Sequence, residues 1–394
     1  MTMSLELCNI AVAAMKLYEF EGNDLLRREG IPVLDYALAA TPQEAREGAE
    51  RLGLPVVVKA QVLTGGRWLA GGVKTAYSLE QVEEASQRIL GLSIKGWPVQ
   101  QVMVTPQINS VREFYLAVTI DEYHGTPVAV ISAAGGVSVN QIALERPEEV
   151  TSRYVSVLKG LLPSEARRMC RGVGLRGADV SRVANMLSAL YQVFRKYDAL
   201  IAEINPLVRT TKRDYLALDA KIEIDDDSLY RHPELKLDLD SRISSPLERK
   251  GREIGVSYVE LDGDIAIIAS GAGLGMASMD IINRRMRPAN FLETGGAITA
   301  DLLYKVMDLV LQKEGVRAVF INVYGGINPI HEGAEGVVKY IKEHQVTIPV
   351  VAKALGNHQE ETWEIFRNNG VHVVDDVSTE KGVEQLARLL EGGS

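Results

Sequence analysis

Apolar residues recur along this chain in two rhythms, and the change from one to the other divides it. In the first half, Val183, Met186, Leu187, Leu190, Tyr191 and Phe194 follow the i, i+3, i+4, i+7 spacing of a half-buried helix. Thr41-Pro42-Gln43-Glu44 predicts a helix start, with Thr as cap, Pro at the first helical position and Glu completing a capping box; Gly53 closes it. The β-branched run Leu54-Pro55-Val56-Val57-Val58-Lys59 predicts a short strand ending in a lysine, and Val99–Val104 and Phe114–Ile120 read as further strands. A charged stretch bearing Pro and Ser runs from about His232 to Arg252. Beyond it, short apolar runs at Ile265–Ala269, Phe291–Leu292, Ala318–Val323, Pro349–Ala354 and Val371–Val374 alternate with helical patterns, which implies a parallel sheet wrapped by helices. The expected organisation is α/β throughout: an extension over 1–14, a first domain over 15–240, a linker over 241–252 and a second domain over 253–394.

Two segments of the first domain carry candidate chemistry. Lys59 is followed by the glycine-rich stretch Thr64-Gly65-Gly66-Arg67-Trp68-Leu69-Ala70-Gly71-Gly72 and then by Val73-Lys74. Strand-Lys, glycine loop, strand-Lys suits a phosphate-handling hairpin. Further on, Leu216, Leu218, Ala220, Ile222 and Ile224 share one strand face by the period of two, and Ala217, Asp219, Lys221 and Glu223 share the other. If Thr210–Asp214 is the turn, Asn205 sits opposite Asp219, with Glu203 nearby. These hard oxygen ligands suit Mg²⁺ carrying nucleotide phosphates, while Lys59 neutralises phosphate charge. Periodicity alone fits an ordinary amphipathic hairpin with a solvated face equally well, and that is the commoner case.

Composition narrows the partners. A net charge of -9 excludes a chain built to live on nucleic acid or anionic membrane, although a nucleotide pocket needs only a few local donors. No run reaches the ~20 apolar residues of a membrane span. Residues 1–14 lack a basic region of the signal-peptide kind. Cys8 and Cys170 make neither a disulfide framework nor a zinc pattern, which fits a reducing cytoplasm. The six histidines form no metal spacing along the sequence; His331 stands out because it opens a helix beside a glycine-rich turn.

The order of motifs is more specific than any one of them. Lys59, Gly65-Gly66-Arg67, Gly71-Gly72-Val73-Lys74, Arg112-Glu113-Phe114-Tyr115, Glu203-Ile204-Asn205-Pro206-Leu207 and Leu218-Asp219-Ala220-Lys221 are followed by three more. These are Ser270-Gly271-Ala272-Gly273-Leu274, Asn290-Phe291-Leu292-Glu293-Thr294-Gly295-Gly296 and Asn322-Val323-Tyr324-Gly325-Gly326-Ile327. From about Met15 onward the chain resembles the succinate–CoA ligase β subunit family, within the ADP-forming acyl-CoA synthetases. The resemblance implies an N-terminal ATP-grasp domain and a C-terminal flavodoxin-like CoA-ligase domain. It also implies that ATP (or GTP) phosphorylates a histidine on a separate α subunit, in a heterodimer or heterotetramer, and that an acyl phosphate then gives way to CoA. By position, Lys59, Gly66, Arg67, Trp68, Thr105, Ile108 and Glu113 would meet the nucleotide, and Asn205 and Asp219 would hold magnesium. Glu203 would orient the visiting histidine, and Ser270, Gly326, Ile327 and Asn328 would meet a small carboxylic acid.

This chain also departs from the family pattern. Trp68 and Leu69 stand where the loop usually has Gly and Lys, and Thr105 replaces a glutamate. Ser132-Ala133-Ala134-Gly135-Gly136-Val137-Ser138-Val139-Asn140 replaces an acidic segment, Ser270 an asparagine, and Pro329-Ile330-His331 an Arg-Cys-Asp-like stretch. Loss of that arginine removes a natural partner for a substrate carboxylate, so the acid is expected to differ from succinate. A non-catalytic, nucleotide-binding regulatory paralogue is the competing expectation. An ATP-grasp carboxylate–amine ligase is disfavoured by the CoA-ligase-like second half.

Overall fold

The computed structural model describes residues 14–136, 142, 144–238, 242–243, 245–296, 298–327 and 329–392. The chain divides into two compact units, Met1–Arg242 and Ile243–Ser394.

Among the described residues the first unit contains two larger antiparallel sheets and a two-stranded one, Ser93–Ile94 with Trp97–Pro98. The larger runs Ala14–Lys16, Ala220–Asp225, Ala199–Thr210, Ser110–Asp121, Thr126–Ser132, Val150–Tyr154, with Tyr215–Ala217 also paired to Ala199–Thr210. Helix Ala178–Lys196 lays Val183, Leu187, Leu190 and Phe194 into its core, as the 3.6-residue period predicts. The hairpin differs from a continuous alternation. Tyr215 and Ala217 are buried, and then Ala220, Ile222 and Ile224, because the strand breaks at Leu218-Asp219. A break of this kind shifts the two-residue period by one, so side chains before and after it exchange faces.

The smaller sheet runs Ala37–Ala39, Gln101–Pro106, Val56–Gln61, Val73–Ala76 and is covered by helices Pro42–Leu52 and Leu79–Leu90. At the start of the first helix Thr41 accepts from the Glu44 amide at 3.2 Å, as a cap should. Glu44 reaches back to the amide of Ala40 rather than that of Thr41. Part of the stretch expected as linker is ordered structure. Pro246–Glu253 is a helix in the second unit, where Gly251 packs so close to Tyr258 that an added Cβ would lie 2.7 Å from the tyrosine Cβ.

In the second unit the strands run Ser257–Glu260, Asn290–Glu293, Ile265–Ala269, Ala318–Gly325, Val350–Gly356, His372–Val373. All pairings are parallel except the first, at the edge. Leaving that edge strand aside, the spatial order is 2-1-3-4-5, the flavodoxin-like order expected from the sequence. The central strands are buried along almost their whole length, so their composition is continuously apolar. Order reverses between Ile265–Ala269 and Ala318–Gly325, and in open α/β sheets the crevice at the carboxyl ends of such a pair is where ligands bind.

Candidate functional site

In the first unit the site is built around four charges. Lys59 lies on Val56–Gln61 between the buried Val58 and Ala60, so strand alternation turns it away from the core. Its Nζ donates to Glu19 Oε1 and to the Leu218 carbonyl, both at 2.7 Å. That carbonyl lies in the strand break at Leu218-Asp219. Arg67 is brought in by the glycine loop folding back on its own strand: the Ala60 amide donates to Gly72 O at 2.7 Å, and the Gly72 amide to Arg67 O at 2.8 Å. A side chain at position 72 would meet Ile94 Cδ1 at 2.9 Å and Arg67 O at 3.1 Å, so the fold-back leaves little room for one there. Arg67 then donates to Glu19 Oε2 at 2.6 Å, to the Ala60 carbonyl at 3.1 Å and to Asp219 Oδ2 at 2.7 Å.

Lys59, Arg67, Glu19 and Asp219 thus form a charge-balanced group. Burial pushes the Glu19 carboxyl upward, yet Arg67 and Lys59 together outweigh it and hold the group below its ordinary value. Asp219 is pushed up by burial and by the Glu19 charge, with Arg67 opposing. The Asp219 side chain nevertheless keeps 39% of its surface exposed, so it remains reachable from solvent.

Beside this group, strand Ala199–Thr210 presents Glu203 and Asn205. The Asn205 amide donates to Asp219 O at 3.1 Å, which sets the two residues side by side. Asn205 Oδ1 accepts from the Gly136 amide at 2.7 Å, and its Nδ2 lies 3.4 Å from Glu203 Oε1. Tyr115 donates to Glu203 Oε2 at 3.2 Å; burial and the Glu203 charge raise its phenol well above the usual range, so it stays a donor. Gly135 runs against Phe114, where an added Cβ would lie 2.7 Å from the backbone oxygen. Glu113 accepts from Ser110 Oγ at 3.0 Å, and its Oε2 would stand 2.9 Å from a Cβ at Gly136.

Lys59, Arg67, Asp219, Asn205 and Glu203 are therefore gathered in one place. Thr105 is buried on strand Gln101–Pro106 opposite Val57, and Ile108 is half-buried just beyond that strand. Gly66 is exposed, and Trp68 and Leu69 stand in solvent at the loop tip, 74% and 92% exposed. The sequence reading missed Glu19, and no motif announces it. The only available clue was two cations in a phosphate-like loop with no nearby anion to hold them before nucleotide arrives. Tyr115 was visible as part of the Arg112–Tyr115 motif but not as a partner of Glu203.

In the second unit, Ser270 follows Ile265–Ala269, and Gly326 and Ile327 follow Ala318–Gly325, on either side of the switch point. The Ser270 hydroxyl accepts from the Tyr324 amide at 2.9 Å, tying the two strand ends together. Ile327 is 90% exposed. Asn328 lies outside the described residues, as do residues 1–13 and 137–141.

Comparison with known proteins fits both units. The ATP-grasp domain family matches residues 16–209, and the CoA-ligase family matches residues 268–386. That pairing of domains defines an acid–CoA ligase chain of the ATP-grasp class. The β subunit of a GDP-forming succinate–CoA ligase from Thermus thermophilus is 41% identical over 91% of this chain and 95% of its own length. That of an ADP-forming succinate–CoA ligase from Rubrobacter xylanophilus is 39% identical over 95% of this chain and 97% of its own. This chain belongs to the succinate–CoA ligase β-subunit family. ATP citrate lyase from Methanothrix soehngenii, solved with citrate and coenzyme A, shares the fold, with a TM-score of 0.75 over 96% of this chain and 100% of that one at 19% identity. Among the described residues no helix is long and apolar enough to cross a membrane.

Proposed function

We propose that this chain is the nucleotide-binding β subunit of an ADP-forming acid–CoA ligase, working with a histidine-bearing α subunit to join CoA to a small carboxylic acid. The observation that carries the reading is the convergence of Lys59 and Arg67 on the Asp219–Asn205 edge, beside Glu203. The carboxylate of Asp219 and the amide oxygen of Asn205 are hard ligands of the kind Mg²⁺ prefers, and they lie on neighbouring backbone. They would hold Mg²⁺, which would supply charge neutralisation for the nucleotide phosphates.

The remaining residues divide the work by charge. Lys59 and Arg67 offer fixed positive charge to the transferring phosphoryl group in a site already shaped for it. Glu203, held by the Tyr115 hydroxyl, would accept from the visiting imidazole and favour its charged form. Gly66, Trp68, Thr105, Ile108 and Glu113 would complete the nucleotide pocket, and Ser270 with Gly326, Ile327 and Asn328 the acid site. The acid is proposed to differ from succinate, because Pro329-Ile330-His331 supplies no guanidinium to a second carboxylate.

Two measurements test this. Mg·ATP binding to the purified chain should be lost in Asp219→Ala; binding that ignores both Mg²⁺ and the substitution defeats the site assignment. The co-purified two-subunit complex should then be supplied with ATP, CoA and a panel of acids. Acyl-CoA formation with a non-succinate acid is expected, a preference for succinate overturns the specificity claim, and binding without turnover on any acid favours a regulatory subunit.

A further inference from the structure

We infer that the second unit carries a binding site for one divalent transition metal of the zinc class, formed by His331, His358 and Glu361. It is separate from the oxygen-ligand site of the first unit and does not depend on how that site is read.

The three residues are far apart in sequence and are brought together by the parallel sheet. Strands Ala318–Gly325 and Val350–Gly356 are neighbours in register from Val319↔Val350 to Gly325↔Gly356, so their carboxyl ends finish level. His331 enters on the first turn of helix Ile330–His344, which follows the first strand. His358 sits at the N-cap of helix Gln359–Arg367, which follows the second, and Glu361 lies three residues on, where helix spacing brings it alongside. The two turns are already fastened to each other. The Asn357 amide donates to Gly325 O at 2.7 Å, its side chain to Ile327 O at 3.1 Å, and the Ile330 amide to Asn357 O at 3.4 Å. Preformed ligands of this kind lose little freedom on binding.

One potential ligand atom from each residue lies within 4.8 Å of the other two. His358 Nδ1 is 2.9 Å from Glu361 Oε2, His331 Nδ1 is 4.0 Å from the same oxygen, and the imidazole centroids are 4.6 Å apart. Tetrahedral ligation at ~2.0–2.2 Å needs donor atoms roughly 3.3 Å apart; the two imidazole–carboxylate distances bracket that spacing, and no pair exceeds it by more than about 1.5 Å. The most telling atom is His331 Nδ1, which is buried and has no hydrogen-bond partner among the described residues. A buried ring nitrogen left unpaired costs free energy that a metal bond would recover. At 4.0 Å the Glu361 oxygen is too distant to serve it as a hydrogen-bond acceptor.

His358 adopts a left-handed backbone, φ 59°, which is uncommon for a residue other than glycine. The helix N-terminus opposes a cation only weakly. Against that, Glu360 and Glu364 line an open recess with His358 and Glu361 and add negative charge. Two imidazoles and one carboxylate favour zinc, cobalt, nickel or copper over magnesium, which prefers oxygen alone. Three protein ligands leave one coordination position for water or an anion. A bound metal would also clamp the start of helix Ile330–His344 to the start of helix Gln359–Arg367.

The test uses the untagged full-length chain, stripped of metal and kept in excess Mg²⁺ to occupy oxygen-ligand sites. Zn²⁺ titration by calorimetry should give one site per chain, and Co²⁺ should give the intense visible absorption of four-coordinate ligation. His331→Ala and Glu361→Gln, separately, should weaken Zn²⁺ binding by roughly a hundredfold or more and abolish the Co²⁺ spectrum, with circular dichroism unchanged. Glu361 is half-exposed, so its variant keeps the test valid if His331→Ala fails to fold. No uptake by the unmodified chain, or equal uptake by the variants, overturns the proposal.

Discussion

Replacing Glu19 with glutamine keeps the shape of the side chain and removes the anion that Lys59 and Arg67 share. Glu19 is 1% exposed and contacts both cations, at 2.7 and 2.6 Å. With charge centres ~4 Å apart and an effective dielectric of ~20, each attraction is about 4 kcal/mol, opposed by desolvation of several kcal/mol per ion. Breaking such a pair while leaving its partners buried costs about 3–5 kcal/mol net. In urea, with a slope of ~3 kcal/mol/M for a unit of this size, the midpoint of the first unit should fall by roughly 1–1.7 M. Hydrogen exchange in strand Val56–Gln61 would report that transition separately from the second unit. The sign with pH follows from the lowered pKa. The Glu19 contribution is complete above the unfolded-state value, near 4.5, and is lost as pH falls through the lower folded-state value. Glu19→Gln should therefore lack that acid limb, and Mg·ATP, whose phosphates can take over the two cations, should stabilise it more than it stabilises the unmodified chain. A stability change below ~0.5 kcal/mol at pH 7, or parallel acid profiles in the two proteins, would refute the reasoning.

Other expectations follow from single contacts. Tyr115→Phe removes a hydrogen bond to the Glu203 carboxylate worth ~1.5–3 kcal/mol, so phosphoryl transfer in the two-subunit enzyme should slow about tenfold or more, with ATP affinity little changed. Gly135→Ala drives a Cβ against the Phe114 backbone; stability should drop by ~1–3 kcal/mol, and Mg·ATP affinity should fall with it as the Gly136–Asn205 bond shifts. Lys353 is buried beside Asn322, and burial lowers its pKa despite the opposing Asp376 charge. Between that lowered value and 10.5 the unfolded chain binds more protons, so stability should rise with pH across this window. Lys353→Met should flatten the slope, read from hydrogen exchange in Val350–Gly356.

Much of this protein is written locally. Apolar period alone marks helix Ala178–Lys196 and the alternating strands and helices of the second unit, because each element must show one face to a core. The order of short motifs identifies the family, and a turn at Thr210–Asp214 places Asn205 beside Asp219 across the hairpin, since register follows from the turn. What the chain does with its charges was decided only in three dimensions. Glu19 lies 40 positions from Lys59 and 48 from Arg67, and no local pattern links a carboxylate on one helix to cations on a distant sheet. The break at Leu218-Asp219, which exposes the carbonyl that Lys59 uses, is invisible in a strand whose composition reads as continuous. His331, His358 and Glu361 show no metal spacing along the sequence. They meet because two parallel strands end level, and long-range pairing of that kind is set by the sheet rather than by any segment within it.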